Sequence, residues 1–201
     1  YILDTPMIMK EELAQKLEFK MRKINILFTY HPVTLNPEQN RNDFKIILDA
    51  LSDLGDDFGI LITKANADDG GRLLNQEIKH FTSKNKNAKS YDALGQYLYY
   101  NCINIFDCVV GNSSSGLFEV PSFKKPTVNI GDRQKGRIKS NSVIDCEVNK
   151  KNILEAISRA LSMNCEDIVN PYGEGKSAEK IVSVLENINI KKIPLQKHFY
   201  S

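Results

Sequence analysis

Short apolar segments alternate with longer amphipathic segments along this sequence, and this alternation limits the possible folds more than any other feature. Two segments, Ile24–Pro32 and Phe58–Ala65, are short, apolar and typical of buried strands. Between them, apolar residues recur at helical spacing from Phe44 to Leu54, after Pro37 at a position typical of a first helical turn. Strands that alternate with helices of about a dozen residues predict βαβ units around a parallel sheet. Because such crossovers are right-handed, we predict an α/β fold with a doubly wound parallel sheet.

The alternation continues along the rest of the chain. Further strands are predicted at Ala88–Tyr91, Asp107–Asn112, Pro126–Gly131 and Asn141–Glu147. Helices are predicted at Gly70–Lys84, Tyr91–Asn104, Lys150–Met163 and Ser177–Ile188, with an early helix that has Leu13 and Leu17 on one face. Ligands of such sheets bind just beyond the carboxyl ends of the strands. The polar residues that follow each strand are therefore the candidates for a functional site.

Composition excludes several classes of partner. The net charge is +2, from 27 basic and 25 acidic side chains, so no overall field favours nucleic acid or an anionic membrane. The apolar runs are far shorter than the roughly 20 residues of a membrane span, and no secretory leader opens the sequence, so we expect a cytoplasmic protein. The cysteines have no zinc-binding spacing, which favours reduced thiols near the core over a disulfide or a metal site. They are Cys102, Cys108, Cys146 and Cys165.

Polar residues follow the first two predicted strands. His31 is a candidate proton donor or cation beside a bound anion, because imidazole titrates near neutral pH. The alternative is a half-buried histidine that donates to the backbone beside a turn. Asn66, Asp68 and Asp69 follow the second strand, where a turn and helix cap would explain them equally well. This segment has neither of the common glycine-rich phosphate-binding motifs.

A serine cluster follows the fourth predicted strand. A helix is expected to begin within Ser113–Gly116 and to be interrupted by a proline, so free N–H groups and hydroxyls would form an anion site. Gly116 would let a ligand approach closely. Capping by a single serine is the alternative, but it does not explain Glu119, because the residue three positions earlier has no hydroxyl. A carboxylate at Glu119 is suited to accept hydrogen bonds from two adjacent ribose hydroxyls.

A basic loop follows the fifth predicted strand. Gly131 and Gly136 flank Arg133 and Lys135, and Arg137 comes next. A solvated basic loop is one interpretation. Arg133 at a phosphate is the sharper one, because a planar guanidinium matches phosphate oxygens. Taken with the imidazole, the amide, the serines and the carboxylate, this loop predicts a site for a nucleotide diphosphate.

The stretch Gly111–Arg137 closely resembles the signature of UDP-N-acetylglucosamine 2-epimerases. The segment Thr29–Thr34, "TYHPVT", resembles the hydrolysing branch, which makes N-acetylmannosamine and UDP for sialic acid synthesis. The resemblance covers nearly the whole chain. It implies a GT-B-type enzyme of two Rossmann-like domains, of which this chain resembles the second. Residues 1–22 would be an interdomain linker and leading helix, residues 23–190 the UDP-binding C-terminal domain, and residues 191–201 a tail that returns toward the N-terminal domain.

The resemblance also implies roles for individual residues. UDP would be bound by His31 in the active cleft beside the diphosphate, Asn66, Ser113 and Ser114 on the diphosphate, Glu119 on the ribose and Arg133 near the nucleotide. His31 would be the one catalytic residue of this chain, and the rim around the uracil is expected near Ala93–Tyr100. The implied reaction is anti elimination of UDP across C1 and C2 of the sugar, followed by hydration of 2-acetamidoglucal. It needs no cofactor or metal.

The family's proton-moving carboxylates belong to its other domain, so the chain alone is expected to be inactive. The expected partners are a UDP-sugar, UDP and the N-terminal domain of the same enzyme, with self-association left open. A hydrolysing epimerase of UDP-diacetylbacillosamine is an alternative within the family. A stand-alone nucleotide-binding module without catalysis, or half of a GT-B glycosyltransferase, are the alternatives outside it.

Overall fold

One parallel sheet forms the centre of the computed structural model, which describes residues 2, 4–33, 37–65, 69–173 and 175–188. The strands in this part of the chain are β1 (Ile24–Thr29), β2 (Phe58–Thr63), β3 (Ala88–Tyr91), β4 (Cys108–Gly111), β5 (Thr127–Ile130) and β6 (Val143–Cys146). Each lies within a segment predicted as a strand. Every adjacent pair is parallel, which confirms the predicted sheet type.

The direction in which successive strands are added to the sheet reverses at the middle of the sheet. The order is β3-β2-β1-β4-β5-β6, so the chain moves outward from β1 to β3 and then returns to lay β4 on the other side of β1. In the register, Thr29 pairs with Thr63 on one side and with Gly111 on the other. Loops that leave β1 and β4 diverge at this switch point, which opens a crevice where ligands of this fold class bind.

The described chain also contains helices, and most of them lie between consecutive strands. They are α1 (Lys10–Lys16), α2 (Pro37–Ser52), α3 (Asp69–Lys84), α4 (Gly95–Ile105), α5 (Ser115–Phe118), α6 (Lys150–Leu161) and α7 (Ser177–Asn187), with a 3-10 helix at Val120–Phe123. The prediction that α4 begins at Tyr91 is wrong. Tyr91 ends β3, where it pairs with Thr63, and the helix begins only at Gly95.

Side chains of the strands alternate between two apolar cores, one on each face of the sheet. Phe28 and Ile62 pack in the core that includes α2, α3 and α6. Leu27 and Leu61 pack in the opposite core with α1 and α4. Helices therefore cover both faces, which confirms the doubly wound arrangement.

The two ends of the described chain differ in how they pack. Leu13 of α1 and Leu17, which follows it, are buried in the second core, as their spacing predicts. The side chain of Asn101 in α4 also holds the segment before α1, by accepting from the backbone N–H of Ile8 at 2.9 Å. By contrast, no residue of α7 is buried. Its exposed apolar residues are Ile181, Val182, Val184 and Leu185.

The four cysteines are free thiols, of which Cys102, Cys108 and Cys165 are buried and Cys146 is partly buried. Burial raises the pKa of Cys102 and Cys108 to about 12, so both stay protonated. Among the described residues, no helix is both long enough and apolar enough to cross a bilayer. The predicted tail at residues 191–201 lies outside the described residues.

Candidate functional site

The loop after β4 runs unusually close to the end of β1. Gly111 has a φ of +137°, and a Cβ atom there would lie 1.8 Å from the carbonyl oxygen of Thr29. The next N–H, of Asn112, donates to that same oxygen at 3.1 Å. Only glycine fits this position, because any side chain would collide with the neighbouring backbone. The two strand ends at the switch point are therefore held against each other.

Asn112 is the residue that connects His31 to this loop. Its fully buried side chain accepts from the backbone N–H of His31 and donates to the carbonyl oxygen of His31, both at 2.8 Å. These two bonds satisfy backbone groups that follow the end of β1 and fix the course of the chain there. Sequence reasoning treated Asn112 only as a strand end, because no local pattern reveals a partner 81 positions away.

Asn112 also anchors the basic loop after β5. Its carbonyl oxygen accepts from Nε2 of Gln134 at 2.7 Å and from Nη1 of Arg133 at 3.2 Å. Gln134 is buried and anchors the loop. Arg133 is exposed, and its guanidinium has further N–H groups that can donate to a ligand. His31 and Arg133, far apart in sequence, are thus both bonded to one residue at the switch point.

A cleft of about 420 Å³ opens beside this junction. Its walls come from the ends of β1 and β2, from the start of α4 and from the serine cluster Ser113–Ser115, hereafter the serine loop. The lining residues are Thr29, Thr63, Ala93, Leu94, Gly95, Gln96, Tyr99, Tyr100, Ser113, Ser115 and Glu119. The segment predicted as a uracil rim therefore lines the same cleft as the serine loop and Glu119.

Glu119 projects a carboxylate into the cleft. One carboxylate oxygen, Oε1, accepts from the hydroxyl of Tyr100 at 2.9 Å. Burial raises the pKa of Tyr100, and the Glu119 carboxylate raises it further, so the phenol stays a donor at physiological pH. Within the described chain, the second oxygen of Glu119 has no protein hydrogen bond, which leaves it able to accept from a ligand.

The serine cluster does not act as a helix cap. The residue at the cap position of α5, Ser114, makes no capping hydrogen bond through its side chain. Ser113 Oγ is 3.4 Å from the N–H of Ser115, a weak bond at most. The alternative that one serine merely caps a helix is therefore wrong. Because α5 has only four residues, its dipole is small, and local N–H groups and hydroxyls are what the loop can offer an anion.

Gly116 has a different role from the one expected. A Cβ atom at Gly116 would lie 2.6 Å from Cγ2 of Thr127, and the Thr127 hydroxyl donates to the carbonyl oxygen of Gly116 at 3.1 Å. The glycine is buried against β5. It therefore allows α5 to pack on the sheet, and the prediction that it admits a ligand is wrong.

Tyr99 belongs to the cleft although no sequence signal singled it out from its neighbours. Its hydroxyl donates to Ser115 Oγ at 2.9 Å. Burial raises its pKa to about 12, and the hydrogen bond to Ser115 opposes that rise only in part. The phenol therefore keeps its proton across the physiological range and serves as a fixed donor to the serine loop.

The structure brings the predicted residues together in two adjoining groups. Ser113 and Glu119 line the cleft, while His31 and Arg133 are bonded to Asn112 at its edge. Ser114 is half-buried in the same loop but does not line the cleft. Asn66 lies outside the described residues, so its predicted contact stays a prediction.

Comparison with known proteins identifies the family. A family model described as UDP-N-acetylglucosamine 2-epimerase matches residues 2–186, which is most of the chain. The chain belongs to the UDP-N-acetylglucosamine 2-epimerase family. The resemblance based on the Gly111–Arg137 stretch is therefore confirmed.

Relatives and solved structures agree with this membership. A GDP/UDP-N,N'-diacetylbacillosamine 2-epimerase (hydrolyzing) from Campylobacter jejuni is 40% identical over 194 residues, which cover 94% of this chain and 50% of that protein. The polysialic acid biosynthesis protein P7 of Escherichia coli is 32% identical over 200 residues, covering 95% and 49%. The chain thus spans about half the length of the curated relatives it matches.

The fold is shared with a structure of Methanocaldococcus jannaschii UDP-GlcNAc 2-epimerase in complex with UDP-GlcNAc and UDP. The TM-score is 0.63 at 18% identity, and the match covers 88% of this chain and 49% of the other. At this identity the likeness shows the fold alone. It again extends over half of the compared chain.

Proposed function

We propose that this chain is the UDP-binding C-terminal half of a hydrolysing UDP-N-acetylglucosamine 2-epimerase. The observation that carries the proposal is the joint placement of Ser113 and Glu119 in one cleft, with His31 and Arg133 bonded to Asn112 beside it. Family membership supports the same reading. UDP binding needs hydrogen-bond donors for the diphosphate next to a hydrogen-bond acceptor for the ribose hydroxyls.

The diphosphate would lie between the serine loop and Arg133. In the described chain, the backbone N–H groups of Ser113 and Ser114 have no protein acceptor, so both can donate to an oxyanion. The Arg133 guanidinium, bonded to the carbonyl oxygen of Asn112 next to Ser113, adds positive charge and directional donors. Fixed donors of this kind stabilise negative charge that develops on a leaving group, which is the role this half would have when UDP departs. His31 would assist beside the diphosphate, and Asn66 would contact UDP.

The reaction would be elimination of UDP across C1 and C2 of UDP-N-acetylglucosamine, followed by hydration of 2-acetamidoglucal to N-acetylmannosamine. The residues that move protons at the sugar ring would come from an N-terminal domain. Residues 1–22, the tail at 191–201 and the exposed apolar face of α7 would lie toward that domain. We assign the enzyme to the cytoplasm on the sequence-based expectation alone.

A binding measurement on the 201-residue chain tests this proposal. We expect saturable binding of UDP by calorimetry or NMR titration, with no release of UDP from UDP-N-acetylglucosamine in a coupled assay. The full-length protein is the positive control for turnover. Epimerase activity of the chain alone would contradict the assignment of the proton-moving residues to an N-terminal domain. No UDP binding at all would contradict the proposed function.

A second sugar is favoured by one specific observation. The Campylobacter jejuni relative, at 40% identity, is named for N,N'-diacetylbacillosamine. Turnover of UDP-N-acetylglucosamine and UDP-diacetylbacillosamine by the full-length enzyme would decide between the two substrates. A nucleotide-binding module without catalysis would bind UDP and release it from neither sugar nucleotide.

The Glu119→Gln variant tests the ribose contact. We expect UDP affinity to fall about 5-fold, roughly 1 kcal/mol, because an amide is a weaker acceptor than a carboxylate. Pyrophosphate affinity should not change, since Glu119 would touch only the ribose. Calorimetric titration with both ligands measures the difference. The matched control is Glu166→Gln, because Glu166 lies near Ile24 at the start of β1, whereas the cleft lies at the end of β1. Equal losses for UDP and pyrophosphate would remove Glu119 from the ribose site.

A further inference from the structure

A row of hydroxyl groups crosses the floor of the cleft. Thr29 and Thr63 end two neighbouring strands, and their hydroxyls are hydrogen-bonded to each other. The Thr29 hydroxyl lies against the hydroxyl of Tyr99, which in turn donates to Ser115 Oγ at 2.9 Å. Both threonines are buried, and all four residues line the cleft. The row therefore runs from the rigid end of the sheet to the serine loop.

The direction of the last hydrogen bond determines what Ser115 can do. A phenol is a much stronger acid than an aliphatic alcohol, so the Tyr99 hydroxyl is the donor and Ser115 Oγ the acceptor. The proton on Ser115 must then point to a different acceptor. Within the described chain, no protein group accepts this proton, and Ser115 borders the cleft. Ser115 is thus arranged to donate into the cleft.

We propose that the Ser115 hydroxyl donates a hydrogen bond to a phosphate oxygen of the bound nucleotide, and that Tyr99 is the positioning residue that orients this hydroxyl. This inference rests on the proposed function and adds to it a third serine, which the sequence analysis left without a role. The ordering matters because a serine hydroxyl otherwise rotates freely. Because Ser115 Oγ accepts a hydrogen bond from Tyr99, its own O–H group already points into the cleft before the anion binds.

The test compares ligands with and without phosphates in NMR titrations of the 201-residue chain. Ser115→Ala and Tyr99→Phe should each weaken UDP binding about 3- to 10-fold, the scale of the net contribution of one ordinary hydrogen bond. Uridine binding should stay within about 2-fold of the unmodified chain, because uridine carries no phosphate. Tyr172→Phe is the matched control, because the hydroxyl it removes donates to the carbonyl oxygen of Ile138 at 2.9 Å and does not line the cleft.

A double-mutant cycle separates positioning from a general effect on the fold. If Tyr99 acts through Ser115, the double variant should bind UDP no more weakly than Ser115→Ala alone. Normal UDP affinity in Ser115→Ala, additive losses in the double variant, or an equal loss of uridine binding in Tyr99→Phe would each overturn the inference while leaving the proposed function intact. Absence of UDP binding in the unmodified chain would overturn both.

Discussion

Replacing Gly111 by alanine is expected to lower the free energy of unfolding by at least about 4 kcal/mol, among the largest effects of a single substitution. Two costs add at this position. The φ of +137° is rarely adopted by a residue with a side chain, and the new Cβ would lie 1.8 Å from the carbonyl oxygen of Thr29. Backbone cannot move away as a flexible side chain would. The collision must separate β1 from β4 at the switch point, or prevent folding altogether.

Chemical denaturation of the chain and of the variant measures this loss. The matched control is Gly55→Ala, because Gly55 also has a positive φ, of +81°, but nothing lies within 4 Å of its added Cβ. Its cost should be only about 1–2 kcal/mol, the price of the left-handed conformation alone. If the two variants lost the same stability, the close approach of β4 to Thr29 could not be a fixed feature of the structure. If Gly111→Ala does not fold at all, soluble expression of Gly55→Ala provides the comparison.

Local patterns in the sequence were sufficient to predict most elements of this fold. Apolar, β-rich runs bounded by turn residues marked the strands, and alternation with helices implied that the strands are parallel. The order of the strands was not predicted, because it depends on the side of β1 on which each crossover returns. The start of α4 was misplaced for a related reason. Tyr91 pairs with Thr63 across the sheet, and this long-range pairing overrides a helical pattern.

The candidate site was predictable to the extent that it follows strand ends. His31 and Ser113 follow β1 and β4, so a parallel sheet brings them to the same edge. Asn112 was missed because its role consists of bonds to the backbone of His31, and an asparagine at a strand end looks like any turn residue. Tyr99 was missed because only the packing of α4 against the serine loop distinguishes it from the tyrosines beside it.

The Arg133→Ala variant is expected to have the largest effect on ligand binding. UDP affinity should fall by about 1.5–3 kcal/mol, or roughly 10- to 150-fold, the scale of a hydrogen bond to a charged group. Stability should hardly change, since Arg133 is exposed and its protein acceptor, the carbonyl oxygen of Asn112, keeps the 2.7 Å bond from Gln134. Calorimetric titration with UDP measures the affinity, and thermal unfolding checks the fold.

The pattern of losses across ligands identifies what the guanidinium does. Arg133→Ala should weaken pyrophosphate and UDP equally, whereas Glu119→Gln should spare pyrophosphate, because one residue would hold the phosphates and the other the ribose. Arg133→Lys should be intermediate, since lysine keeps the charge but lacks the planar fork. Arg159→Ala, an exposed arginine in the last turn of α6, is the control for loss of charge alone. Unchanged UDP affinity in Arg133→Ala would remove the basic loop from the site. The phosphates would then have to be bound by the serine loop without it.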